Sequence, residues 1–152
     1  MNIGDRLPEI LGSDEQGRLL RLSQFAGQGL VLYFYPKDNT SGCTAEACSL
    51  RDHYDELRQL GYAVVGVSTQ DAASHRRFIE KNRLPFPLIA DVDKALVQAT
   101  GVWGEKKMAG RSYMGTIRTT FVADGQGIIT HKLEARQVNT AAHARQLLEL
   151  LR

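Results

Sequence analysis

Apolar residues gather in two unbroken runs in the first half of the chain, Leu30–Tyr35 (LVLYFY) and Tyr62–Ser68 (YAVVGVS). A strand with one face in water alternates apolar and polar positions. A run without alternation predicts a strand covered on both faces. Between the two runs, Thr44–Leu60 reads as a helix stopped by Gly61. Asp71–Asn82 predicts another helix, and Pro85 and Pro87 punctuate the loop behind it. Leu88-Ile89-Ala90 predicts a short strand and Lys94–Thr100 a short helix. Glu9–Leu22 predicts a hairpin turning at Asp14-Glu15-Gln16-Gly17. Thr119–Ala123 and Ile128–Leu133 predict a second hairpin around Asp124-Gly125-Gln126-Gly127. Asn139–Arg152 closes the chain as a helix whose Leu147, Leu148 and Leu151 form a core-facing stripe. Strands alternate with helices early and a hairpin comes late. That order predicts an α/β domain with a central mixed sheet flanked by helices.

Composition narrows the class without changing this picture. The 152 residues contain no repeat, low-complexity tract or linker, so residues 1–152 are read as one domain, large enough for a real core. With 43% hydrophobic and 24% charged residues, the balance is that of an ordinary soluble protein. A net charge of +2 argues against a nucleic-acid partner, and Arg76-Arg77 and Lys106-Lys107 read as solvated faces. MNIGDRLPEI has no apolar signal core, and no run approaches the ~18 apolar residues of a membrane span. Two cysteines are too few for a disulfide scaffold, so a cytoplasmic protein with reduced thiols is expected.

Those cysteines, Cys43 and Cys48, carry the candidate chemistry. They lie in YFYPKDNTSGCTAEACSLRD (33–52), where a buried strand runs through a loop into a helix. Cys43 stands at the mouth of that helix, where free backbone N–H groups and the helix dipole favour an anion. The anionic thiolate is the nucleophilic form of cysteine. On an intact helix, residues five apart point about 140° apart, with Cα atoms roughly 8.5 Å from each other. A disulfide needs Cα atoms within about 7 Å. Cys43 and Cys48 can therefore bond only if the first helical turns unwind. This suits a transient catalytic bond better than a structural one.

Metal binding is the weaker reading. Cys43, Cys48 and His53 follow at intervals of five and diverge around a helix, whereas zinc needs convergent ligands. His75, His131 and His143 show no partner spacing and read as surface or core residues. Neither a metal nor a cofactor is expected. Cys48 alone reads as a small buried hydrophobe. Thioredoxin-like redox sites use a similar strand–loop–helix placement with two residues between cysteines, not four. The residues thus point to thiol redox chemistry and leave its type open.

The wider pattern supplies a type. Pro36, Thr40 and Cys43 match the Pro-x-x-x-Thr-x-x-Cys signature of peroxiredoxins. Residues 33–52, GVST (66–69), the GVWGEK run (101–106) and IRTTFVAD (117–124) resemble the bacterioferritin comigratory protein, or peroxiredoxin Q, subfamily. The resemblance spans nearly the whole chain. One departure is Ser41, where many relatives carry proline; it is expected to loosen the loop and removes no catalytic group.

The resemblance implies a thioredoxin-like fold and a thiol peroxidase acting on hydrogen peroxide and organic hydroperoxides. It implies that Cys43 is peroxidatic and becomes a sulfenic acid. Cys48 would resolve it as an intramolecular disulfide, and a dithiol such as thioredoxin would reduce that bond. Arg118 would hold the thiolate and a peroxide oxygen, as its cationic fork allows. Thr40 would accept from the peroxide O–H, and Pro36 would fix the turn and shield the sulfur. A monomer is implied, since the resolving cysteine lies in the same chain. Trp103 reads as a partly buried aromatic rather than a partner anchor. Glu46 reads as an acid compensating the helix dipole, in preference to a proton relay. Two rivals belong to other classes: a thiol-disulfide oxidoreductase, and a redox-switched binding or chaperone protein. Peroxide consumption compared with insulin-disulfide reduction separates the first. Catalytic turnover with a thioredoxin system argues against the second.

Overall fold

The central strand shows why the apolar runs are unbroken. The computed structural model describes residues 1–152. In β3 (Gly29–Phe34), successive side chains enter different cores. Leu30, Leu32 and Phe34 pack with Val65, Val67, Ile89 and Phe121 on one side of the sheet. Val31 and Tyr33 pack with Leu50, Leu57, Phe78 and Leu147 on the other. Both faces are therefore dry, and a polar residue has no place along the strand.

Around β3 the sheet is mixed. Before it, β1 (Ile10–Ser13) and β2 (Leu19–Arg21) form the expected N-terminal hairpin. After it come α1 (Ser41–Asp52), α2 (Tyr54–Gln59), β4 (Tyr62–Ser68), α3 (Ala72–Asn82), β5 (Leu88–Ala90) and α4 (Ala95–Ala99). β6 (Trp103–Met108), β7 (Arg111–Thr116), β8 (Thr119–Ala123), β9 (Ile129–Leu133) and α5 (His143–Leu151) follow. The five-stranded sheet has the order β5-β4-β3-β8-β9. β3, β4 and β5 run parallel, and β8 lies antiparallel to both β3 and β9. Leu147 and Leu148 of α5 are buried as expected, and Leu151 packs against the same core half-buried.

Three elements differ from expectation. The helix foreseen over Thr44–Leu60 begins earlier, at Ser41, because the Thr40 carbonyl already accepts the Thr44 N–H at 2.9 Å. It also breaks at His53 (φ −116°, ψ 17°). There the imidazole Nδ1 takes the Ser49 carbonyl at 3.1 Å, the acceptor that a continuing helix gives to the residue 53 N–H. The closing segment starts with a 3-10 turn at Thr140–Ala142, and its α-helix begins only at His143. The β6–β7 hairpin was not foreseen at all: WGEKKMAGRSYMGT has no period-two pattern. Its turn pairs Ala109 (φ 50°) with Gly110 (φ 78°), both left-handed, as a two-residue hairpin turn requires.

Candidate active site

Cys43 sits in the first turn of α1, buried beneath the guanidinium of Arg118. The strand order explains the meeting. β3 and β8 are antiparallel neighbours, with Phe34 opposite Thr119. The end of β3 therefore lies beside the start of β8, and the residue just before β8 faces the helix that follows β3. Arg118 Nη2 donates to Cys43 Sγ at 3.2 Å. Gly42 leaves room for that cation: a Cβ there would lie 3.4 Å from Nη2.

The other nitrogen of the fork is also engaged. Arg118 Nη1 donates to Glu46 Oε1, and the Glu46 side chain has no exposure. Glu46 is thus a buried partner of Arg118, beyond the dipole-compensating acid expected from its place in the helix. It lies three residues from Cys43, on the same helix face. That spacing is the signal that could have singled it out. Burial pushes its carboxyl up to about 7, although the charge and hydrogen bond of Arg118 pull the other way. Its second oxygen has no hydrogen-bond partner and lies 3.7 Å from His143 Nε2.

His143 is a buried histidine whose protonation is fixed by its neighbours. Gln146 Oε1 accepts the Asn139 N–H at 2.9 Å, which orients the amide. The same oxygen faces His143 Nδ1 at 3.1 Å, so Nδ1 is the donor. Thr120 Oγ1 then donates to the bare Nε2 at 2.8 Å. Burial holds the imidazole below its usual range, opposed by the Gln146 hydrogen bond and assisted by the nearby Arg118 charge. Behind Cys43 there is thus one cation, one carboxyl and a neutral histidine.

The loop from β3 to α1 is held separately. Asp38 is buried and accepts from Tyr35 Oη at 2.6 Å, Ser74 Oγ at 2.7 Å and His75 Nδ1 at 2.7 Å. Its backbone N–H donates to Gln70 Oε1. Burial alone would raise the Asp38 carboxyl. The hydrogen bond and charge of His75, with Tyr35 and Ser74, outweigh it and hold the carboxyl low. His75 Nε2 lies 2.9 Å from the Ile89 carbonyl, so β5 completes the anchor. Neither Asp38 nor His75 was singled out by sequence, since their partners are supplied by tertiary folding.

Thr40 is exposed, and its hydroxyl donates to the Lys37 carbonyl at 3.1 Å rather than capping α1. Pro36 is half-buried just after β3, and Ser41 is exposed as the first residue of α1. Cys48 is half-buried on another face of α1, and both thiols are free. Trp103 is half-buried against the second core, with Lys94 Nζ 5.4 Å above its ring. Lys107 is solvated as expected, but Lys106 is half-buried and donates to the Thr116 carbonyl at 3.0 Å. Burial, then the charge of Arg118, lowers the Lys106 ammonium, while Cys43 opposes them. No group of three or more His, Cys, Asp or Glu side chains is placed to hold a metal ion. No helix is long and apolar enough to cross a membrane.

Residues 3–132 match the model of the AhpC/TSA family. The chain is 38% identical over 152 residues to Peroxiredoxin Bcp of Bacillus subtilis, covering all of this chain and 96% of that one. The structure of a cysteine-to-serine mutant of Xylella fastidiosa PrxQ superposes with a TM-score of 0.90 at 35% identity, over 99% of this chain and 95% of that one. A Xanthomonas campestris bacterioferritin comigratory protein, studied for alkyl peroxide reduction, superposes with a TM-score of 0.85 at 34% identity, over 97% of each chain.

Proposed function

Because this chain belongs to the AhpC/TSA family, we propose that Cys43 is its peroxidatic cysteine and Cys48 its resolving cysteine. Its fold is the thioredoxin-like fold of peroxiredoxins, and it is a thiol peroxidase of the Bcp or Q type. One observation carries the assignment: Arg118 Nη2 lies 3.2 Å from Cys43 Sγ in the first turn of α1. A cation and a helix N-terminus both favour the thiolate.

In the first step the Cys43 thiolate attacks the terminal oxygen of a hydroperoxide. An S–O bond forms, the O–O bond breaks, and the leaving oxygen departs as water or an alcohol after taking a proton. Arg118 stabilises charge as it moves from sulfur to the leaving oxygen. The Thr40 hydroxyl spends its proton on Lys37, which leaves its oxygen to accept the peroxide O–H. Pro36 sets the exit from β3 that delivers this loop. Glu46 holds the Arg118 fork from behind.

In the second step the Cys48 thiolate attacks the sulfenic sulfur of Cys43. The S–S bond forms, the S–O bond breaks, and hydroxide leaves as water. The two cysteines stand in one helix, so this step requires α1 to unwind. An external dithiol then reduces the disulfide. Thioredoxin is the proposed donor, and hydrogen peroxide and organic hydroperoxides are the proposed substrates. With both thiols in one chain, residues 1–152 work as one domain and as a monomer, in the cytoplasm where the resting thiols stay reduced. Stopped-flow oxidation of the reduced protein tests the reading. Hydrogen peroxide and an organic hydroperoxide should both give a fast phase that Cys43→Ser abolishes. A fast phase retained in Cys43→Ser would overturn it.

A further inference from the structure

Cys48 is fastened to a second helix. Its thiol lies 3.7 Å from Asn82 Oδ1. Three residues on, Arg51 Nη1 donates to the Asn82 backbone carbonyl at 2.8 Å. Asn82 is the last residue of α3, and Arg83 follows in the left-handed region at φ 52°. The last carbonyls of a helix have no partner within it, and that end carries partial negative charge. A cation placed there both bonds an orphan carbonyl and complements the dipole. Arg51 is held in that pose by Asp52, whose Oδ1 accepts from Nε at 2.9 Å. The Asn82 side chain is oriented in turn, with Nδ2 donating to the Phe78 carbonyl at 3.1 Å. One turn of α1, Cys48 to Arg51, is thus tied to the end of α3. Within the same turn, Ser49 Oγ accepts the Ala144 N–H at 3.1 Å and ties it to α5.

We propose that Arg51 and Asn82 are positioning residues for resolution: they hold Cys48 against α3 in the reduced fold, and their release limits how fast it reaches Cys43. This rests on the roles assigned above to the two cysteines. Cys48 cannot turn toward Cys43 without leaving Asn82. Arg51 shares the Cys48 face of the helix, so the same turn cannot rotate without drawing Nη1 off the carbonyl. In the disulfide the Cys48 sulfur has no proton to donate, so its contact with Asn82 is gone in the oxidised form. Contacts made only in the closed state bias a local opening toward closure. The Arg51 side chain is one-third exposed, which discounts its charge-assisted bond. Losing it should raise the open fraction roughly five- to tenfold.

The tie has a chemical consequence. A sulfenic acid that waits for its resolving thiol meets further peroxide and passes to the sulfinic form. A tighter tie gives a longer wait, so Arg51 and Asn82 set the sensitivity of Cys43 to overoxidation.

Acid-quenched single turnovers read by intact mass separate the two steps. They follow the gain of one oxygen, then its loss as the disulfide closes. Arg51→Ala should resolve roughly five- to tenfold faster than wild type, with the first step within about twofold, and should give less sulfinic acid at high peroxide. Asn82→Ala should move the same way by less, since the backbone carbonyl remains. Arg51→Lys, which keeps a donor for that carbonyl, should return the rate toward wild type. Glu56→Gln, which removes a surface ion pair between α2 and the C-terminal Arg152, should leave both steps unchanged. Resolution at the wild-type rate or slower in Arg51→Ala overturns the proposal, while a Cys43–Cys48 bond still forming leaves the two cysteine roles standing. Absence of that bond in wild type would overturn the roles and the proposal together.

Discussion

Arg118 divides its guanidinium between a sulfur and a carboxyl, and both contacts come from one helix. That geometry makes it the residue whose loss should matter most after Cys43. Arg118→Met keeps the volume and removes the fork. It should slow peroxide attack about 100- to 1,000-fold, the range for removing one aligned donor from a developing charge. Stopped-flow rates on the reduced variant check this, and a rate within about threefold of wild type would exclude the role. The meeting of Cys43 with Arg118 follows what the short patterns around each imply, while the roles of Thr40 and Pro36 rest on the proposed chemistry. Glu46 was read only as an acid set against the helix dipole, because its partner Arg118 lies 72 positions along the chain. Only the return of β8 across the site shows that this acid is buried.

Glu46 also makes a prediction about pH. Its carboxyl sits at about 7 in the folded protein against an ordinary value of 4.5, with burial the main cause. The folded protein therefore keeps a proton that the unfolded chain has already lost. The associated stability is fully present below the ordinary value and is lost as pH rises through about 7. The full swing is on the order of 3 kcal/mol. Glu46→Gln cannot titrate and should flatten it. Denaturant midpoints from about pH 5 to about pH 8 should fall in wild type relative to the variant. Parallel profiles would show that Glu46 does not titrate across that interval.

At the scale of elements, α1 must satisfy two demands that conflict. It holds Cys43 under Arg118, and under the proposed resolution it has to come apart for Cys48. Beyond the core packing of Ala47 and Leu50, its polar fastenings lie toward its ends: Arg118 on Cys43 and Glu46, Asn82 on Arg51, and Ala144 on Ser49. Meanwhile the loop before it is pinned independently through Asp38 to His75, Ser74 and Tyr35. Unwinding α1 therefore need not disturb the β3 exit. Hydrogen exchange should show amides across residues 43–51 protected in the reduced protein and exchanging faster in the disulfide form, with β3 and β4 unchanged. Equal protection in both forms, with the Cys43–Cys48 bond confirmed, would sink the unwinding step. The unbroken apolar runs and the Gly-rich turns made most elements legible. The β6–β7 hairpin was not, because it packs loosely on the body and its residues carry no burial pattern to read. The break at His53 was also hidden, since it depends on a ring capturing the Ser49 carbonyl.

At the scale of the molecule, the site is a product of sheet order. Cys43 and Arg118 are 75 positions apart and meet because β8 inserts beside β3. Strand alternation foretold a mixed sheet, but it could not say which strand neighbours which; that depends on how both cores close over β3. Gly66 in β4 records how tightly they close. A Cβ there would come within 2.6 Å of Leu88 and 2.9 Å of Tyr33, so the GVST segment needs glycine for packing. With both cysteines in one helix, the proposed disulfide would need no second copy of the chain.

The central claim is that one chain carries out oxidation at Cys43 and closure by Cys48. The most direct test treats reduced protein with one equivalent of hydrogen peroxide and reads the products by intact mass and peptide mapping. Wild type should lose two hydrogens and yield a single peptide pair joined through Cys43 and Cys48, independent of protein concentration. Cys48→Ser should gain one oxygen on Cys43 and stop there, and Cys43→Ser should be unchanged. Oxygen arriving on Cys48 in the Cys43→Ser variant, or a bond that forms only between chains, would contradict the account.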